Sequence, residues 1–146
     1  MRIRLQHCGL IVSDLERSRR FYGEALGLEE LPRPASFSFA GAWFALGDTE
    51  IHLLAEGDTT AQAGMPPPGP GLAGGLATHL ALEVDDLAVW QARLEENGVP
   101  PAAGPMPRGD GVVQLFVFDP DGYVVELFAR TGEDQAGAPA RAPIRD

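Results

Sequence analysis

Three histidines and one glutamate stand where ordinary packing would not place them. His7 lies in the apolar run around Leu5–Val12, His52 in Glu50–Ala55, His79 in Thr78–Val84 and Glu126 in Tyr123–Phe128. Each run has the aliphatic, β-branched or aromatic composition of a strand. A carboxylate in the middle of such a strand is costly to bury unless a cation compensates it. A lone strand histidine is ordinarily a hydrogen-bonded core or surface residue, but four polar groups in four apolar strands argue for one metal site. Imidazole nitrogen with carboxylate oxygen suits a divalent Fe, Mn, Ni, Co or Zn ion. Cys8 alternates away from His7 and reads as a small packed hydrophobe.

The elements that must position these groups come twice. After the first strand, Ser13 and Glu16 have the spacing of a capping box, which predicts a helix start at Ser13. Leu15, Ser18, Tyr22 and Ala25, with Phe21 and Leu26, recur at helical spacing as far as Gly27. Pro32 and Pro34 break the chain, and strands are expected at Ser36–Ala40, Ala42–Leu46 and Glu50–Ala55. Residues 56–77, rich in Pro and Gly, form a connector. The pattern then returns: the strand Thr78–Val84, a helix from Asp85-Asp86 through Leu87, Trp90 and Leu94 to Asn97-Gly98, a proline-rich piece, and strands at Val112–Phe118 and Tyr123–Phe128. Between the last two strands, Asp119-Pro120-Asp121-Gly122 reads as a tight turn.

His7…Val12-Ser13-Asp14-Leu15 aligns with His79…Val84-Asp85-Asp86-Leu87. From His7 to His52 is 52 − 7 = 45 positions, and from His79 to Glu126 is 126 − 79 = 47. This is an internal repeat of about fifty residues. Strand alternation sets His79, Ala81 and Glu83 on one face and Leu80, Leu82 and Val84 on the other, under the helix. By the same rule His52 sides with Leu54, and Glu126 with Val124 and Phe128. Glu83, on the inward face, is a candidate general base. Tyr123, Phe128, Trp43 and Phe44 could shape an apolar pocket, although core packing is the commoner role for strand aromatics.

A chain of 146 residues suits a single domain, expected over 1–130, with a flexible tail over 131–146. The halves fall at residues 4–55 and 78–130. A net charge of -10 argues against nucleic acid or an anionic membrane as partner. A single cysteine excludes an internal disulfide and fits the reducing cytoplasm. No leader-like N-terminus or membrane-length apolar run is present, so a cytoplasmic protein is expected.

The motifs His7-x-x-Leu-x-Val-x-Asp-Leu-x-x-Ser-x-x-Phe-Tyr22, Leu26-Gly27-Leu28, His79-Leu-Ala-Leu-x-Val84 and Asp119-Pro-Asp-Gly-x-x-x-Glu126-Leu resemble those of the vicinal oxygen chelate superfamily. That superfamily contains glyoxalase I, bleomycin-resistance proteins, methylmalonyl-CoA epimerases and extradiol dioxygenases. The resemblance spans about residues 4–130. It implies an α+β fold of two βαβββ modules forming a U-shaped sheet around a metal, in a homodimer whose chains complete each other's sites. It also implies His7, His79 and Glu126 as ligands and His52 as the fourth, where glyoxalase I carries Glu or Gln. Glyoxalases that grip glutathione commonly have Arg where this chain has Ile11. The expected function is that of a metal-dependent enzyme acting on a small molecule with vicinal oxygens, by lyase, isomerase or ring-cleaving dioxygenase chemistry, with Glu126 and Glu83 as its catalytic carboxylates. The alternative is a non-catalytic protein that sequesters a small molecule.

Overall fold

The computed structural model describes residues 3–65 and 76–131. The most Pro- and Gly-rich part of the connector and nearly all of the expected tail lie outside the described residues.

The chain folds as two βαβββ modules. The first runs β1 (His7–Val12), α1 (Leu15–Arg19, continued by a π-helical segment, Arg20–Ala25), β2 (Glu30–Leu31), β3 (Gly41–Leu46) and β4 (Thr49–Ala55). The second runs β5 (His79–Glu83), α2 (Leu87–Glu96), β6 (Ala103–Pro107), β7 (Val112–Phe118) and β8 (Val124–Arg130). Each builds a four-stranded mixed sheet, in the orders β1-β4-β3-β2 and β5-β8-β7-β6. The first and last strands of each module are parallel neighbours, and the remaining pairs are antiparallel.

Alternation decides which face each sheet buries. Ile51 and Leu53 of β4, and Val125 and Leu127 of β8, enter one core with Val12, Tyr22, Leu26, Leu94, Leu115 and Val117. His52 and Glu126 belong to the opposite faces. The π-helical segment closes with Leu26 N–H donating to Phe21 O at 2.9 Å, and its wide turn buries Phe21, Tyr22 and Ala25 together.

Four local expectations are corrected. The cap of α1 is Asp14, which accepts from Arg17 N–H at 3.0 Å, and not Ser13. Ser13 Oγ is taken by Asp121 of the second module, and Glu16 pairs with Arg19. The strand expected at Ser36–Ala40 is a loop, and the edge of the first sheet is the two-residue β2. The alternating Phe37 and Phe39 meet each other edge to face at 5.2 Å, Phe37 meets Trp43 at 5.3 Å, and the Arg33 guanidinium lies 4.9 Å over Phe39. The proline-rich piece contains β6, because an edge strand tolerates residues without N–H. Tyr123 precedes β8, and its hydroxyl donates to Ile11 O at 3.0 Å rather than facing a pocket.

The turn between β7 and β8 latches the modules. Asp119 is buried and accepts from the N–H groups of Asp121 (2.9 Å) and Tyr123 (2.8 Å) and from the Tyr22 hydroxyl (3.0 Å). Burial raises the pKa of Asp119 above its ordinary value against these bonds, and burial followed by the Asp119 charge raises that of Tyr22. Tyr22→Phe removes one of three donors from a buried carboxylate. The expected loss is about 1.5–3 kcal/mol of unfolding free energy, measured by urea denaturation. A change within about 0.5 kcal/mol, the range of ordinary surface substitutions, would show that the bond does not hold the modules together.

Candidate functional site

The same register places a polar pair on the open face of each sheet. In the first module β1 pairs with β4 so that His7 stands opposite Glu50, and His52 lies two residues beyond. In the second, His79 stands opposite Val124, and Glu126 lies two residues beyond. Each polar residue of the last strand also faces an aromatic on its antiparallel neighbour: Trp43 opposite His52, and Phe116 opposite Glu126. The repeat seen in the sequence is thus a repeat of register.

In the first half-site three rings form a ladder. His52 stacks on His7 at 4.2 Å and 8°, and on Trp43 at 4.1 Å and 4°. His7 Nδ1 meets Gln6 Oε1 at 2.5 Å, and His52 Nε2 meets Glu50 Oε2 at 2.6 Å. Both partners are acceptors, so the contacting nitrogens carry the protons. That assignment leaves Nε2 as the free lone pair of His7, but Nδ1 as that of His52. The bond from His52 holds the Glu50 carboxyl below its ordinary pKa. A cavity of about 560 Å³ opens over this ladder, lined by Gly9, Phe37, Phe39, Trp43, His52 and Leu54 among others.

In the second half-site the carboxylate is the buried member. His79 Nδ1 donates to Leu76 O at 2.7 Å, which leaves Nε2 bare and aims it at Glu126 Oε2, 2.8 Å away. Phe116 meets the His79 ring edge-on at 5.7 Å. Glu126 is 3 % exposed, and among the described residues its Oε1 has no hydrogen-bond partner. Arg108 Nη1 lies 3.5 Å from that oxygen, near enough for charge attraction but without a directed bond. The Arg108 guanidinium rests 5.4 Å over Phe128 and binds Asp110, whose carboxyl it holds below the ordinary range.

A buried carboxylate oxygen without a donor, beside a bare imidazole nitrogen, is the kind of pair a divalent ion satisfies. His7 adds a second bare Nε2. The donors therefore fit a metal chemically, but in two halves. Among the described residues no three His, Cys, Asp or Glu side chains cluster as a metal site. His7 and His52 share one sheet face, and His79 and Glu126 share another.

Glu83 stands apart from both pairs. It lies four residues along β5 from His79, roughly 13 Å at strand rise, is exposed and pairs with Arg130 at 2.9 Å. Phe44 is buried in the core and does not line the cavity. Sequence reasoning passed over Glu50, Gly9 and Arg108. The first two share the site face with His52 and His7 by simple alternation and were open to inference. Arg108 follows β6, an element without a strand signature, and had no such signal.

The sequence model of the Glyoxalase/Bleomycin resistance protein/Dioxygenase superfamily matches residues 4–127, and the chain belongs to that superfamily. Among relatives, the lactoylglutathione lyase of Salmonella typhimurium is 35% identical over 130 residues, covering 86% of this chain and 91% of its own. The lactoylglutathione lyase of Neisseria meningitidis serogroup A is 32% identical over 144 residues, covering 93% and 97%. A glyoxalase/dioxygenase structure from Nostoc punctiforme superposes with a TM-score of 0.71 at 30% identity, covering 87% of this chain and 90% of its own.

Arg108 holds its guanidinium 3.5 Å from a buried carboxylate, so Arg108→Ala is expected to destabilise the chain in chelator-treated solution. A half-exposed arginine sets the loss at about 1 kcal/mol, read by chemical denaturation. No change in Arg108→Ala alongside a loss in Arg130→Ala would place the stabilising charge elsewhere.

Proposed function

We propose that this chain is a divalent-metal-dependent lyase or isomerase acting on a small molecule with two adjacent oxygens, and that a second copy of the chain completes its site. The observation that carries the reading is the matched register, which leaves each sheet with one pair of donors at the same place. Either pair alone supplies too few ligands, and together they supply the three that a catalytic site uses, with one group to spare. A two-fold homodimer setting the β1/β4 face of one chain against the β5/β8 face of the other would join them twice by symmetry. The lyases among its relatives support lyase or isomerase chemistry.

The proposed ligands are the bare Nε2 atoms of His7 and His79 with the Glu126 carboxylate. His52 is a fourth donor only through Nδ1, because its Nε2–H is committed to Glu50. A bound divalent ion would supply Lewis-acid polarisation of the substrate oxygens. The chain's own groups do the rest. Leu76 O and Gln6 Oε1 fix the tautomers and orientations of His79 and His7, and Phe116 and Trp43 pack against the His79 and His52 rings.

The metal and the shared site are tested together. His7→Ala and Glu126→Ala should each purify without metal, while the parent chain carries one divalent ion per chain by elemental analysis. Mixing the two variants under conditions of subunit exchange should restore about a quarter of the parent content, because mixed dimers contain one intact and one doubly impaired site. Equal metal in parent and Glu126→Ala would remove the assignment, and a parent chain purified without metal would favour a non-catalytic binding protein. No recovery after confirmed exchange would place the site within one chain.

The preferred substrate is not a glutathione adduct. Ile11 lies on the strand face of His7 and Gly9, where a charge-assisted bond to a glutathione carboxylate is worth about 1.5–3 kcal/mol when a cation is present. His52 also brings no carboxylate for proton transfer, a loss of typically about 10²–10⁴ in rate. With Ni²⁺ or Zn²⁺ reconstituted, turnover of the glutathione–methylglyoxal hemithioacetal should fall below a kcat/KM of about 10⁴ M⁻¹s⁻¹. A value well inside the ordinary enzyme range would overturn this preference.

A further inference from the structure

We infer that the cavity over the first half-site receives a planar aromatic group of the substrate, and that Gly9 is the residue that opens it. The inference rests on reading this face as the substrate side of the oxygen-binding site. The walls are aromatic: Trp43 and the His52 ring stacked on it at 4.1 Å form one side, and Phe37 and Phe39 form another. The phenylalanine loop is held from behind. Arg33 Nη2 donates to Phe39 O at 2.7 Å, and its guanidinium lies over both rings, 4.9 Å from Phe39 and 6.0 Å from Phe37. Phe37 nonetheless remains 42% exposed, so the core does not claim it. Aromatic rings at offset-stacked or edge-to-face distances gain attraction beyond their buried area. A flat ring laid among these four would meet both kinds of geometry.

The floor is where this chain could have been closed and is not. Gly9 stands opposite His52 in the β1–β4 ladder and lines the cavity. Glycine in a strand interior weakens it unless the vacant space is used. No backbone demand explains Gly9: it is not among the residues of positive φ, and among the described residues a Cβ there would meet only Leu54 Cδ1, at an ordinary 3.6 Å. Any side chain at this position would project into the cavity. Its absence makes room for a ring that a cavity floored by an aliphatic side chain would reject.

Benzohydroxamate and acetohydroxamate carry the same pair of adjacent oxygens and differ in a phenyl against a methyl group, so they separate the ring from the chelating head. In a Trp90→Phe background Trp43 is the sole tryptophan, and its fluorescence reports binding. Benzohydroxamate should bind about tenfold or more tightly than acetohydroxamate. Gly9→Leu should fill the floor and bring that ratio towards one, with thermal stability retained. Phe37→Ala, at an exposed position that folding does not need, should lower the ratio about threefold or more. The titrations are run on metal-loaded, desalted protein and on chelator-treated protein. A phenyl preference in either form supports the aromatic cavity, and its presence in chelator-treated protein alone separates it from the fate of the metal assignment. Equal affinity for the two probes, no quenching in both forms, or a preference that survives both substitutions would overturn the inference.

Discussion

The Asp119 carboxylate is the constraint on which the arrangement of the two modules depends. It is buried, it fixes its own turn through two N–H bonds, and its remaining capacity goes to the Tyr22 hydroxyl in the other module. Around it, Asp121 receives Ser13 and Arg17, and the Tyr123 hydroxyl joins Ile11 O to Gly64 N–H. Arg93 adds a second tie by donating to the carbonyls of Glu24 and Ala25 beyond α1. Apolar packing between modules is non-directional; these bonds give it an orientation. The turn that leads into β8 therefore carries two duties, joining the halves and starting the strand that bears Glu126.

Much of the fold was legible because the two modules repeat one pattern. The alternation of Leu80, Leu82 and Val84 against His79, Ala81 and Glu83 matches the core and open faces of the second sheet. The strand Val112–Phe118 and the helix led by Asp86, whose carboxylate accepts from Ala88 and Val89 N–H, were readable from local composition alone. Where local signals failed, a contact distant in sequence had taken the group concerned. Ser13 looks like a cap until Asp121, 108 residues away, claims its hydroxyl. Phe37 and Phe39 alternate as a strand does, but their rings are held by Arg33 and Trp43. Prolines hid β6 because an edge strand does not need their missing N–H groups.

The candidate site was legible as a set of residue types and not as an arrangement. The sequence marks His7, His52, His79 and Glu126 as polar groups in apolar strands. It does not show that His52 turns Nε2 to Glu50 while His7 and His79 leave theirs bare. That difference comes from neighbours: Gln6 and Leu76 O bind the Nδ1 atoms of two rings, and a carboxylate two residues earlier on the same strand takes the third ring by its far nitrogen. Tautomer, and with it donor capacity, is set outside the ring itself.

The sheet edges have a bearing on assembly. The outer edge of the first sheet is only two residues long, and that of the second carries Pro105 and Pro107, which cannot donate to an incoming strand. Neither offers the long, fully equipped row of N–H and C=O groups on which edge-to-edge growth depends. The opposite edges, β1 and β5, are free of proline and are the two strands that bear His7 and His79. Uncontrolled fibre-like stacking is thus discouraged on the sides remote from the histidines, while on the β1 edge Ile11 O is already bonded by the Tyr123 hydroxyl and Gly64 N–H.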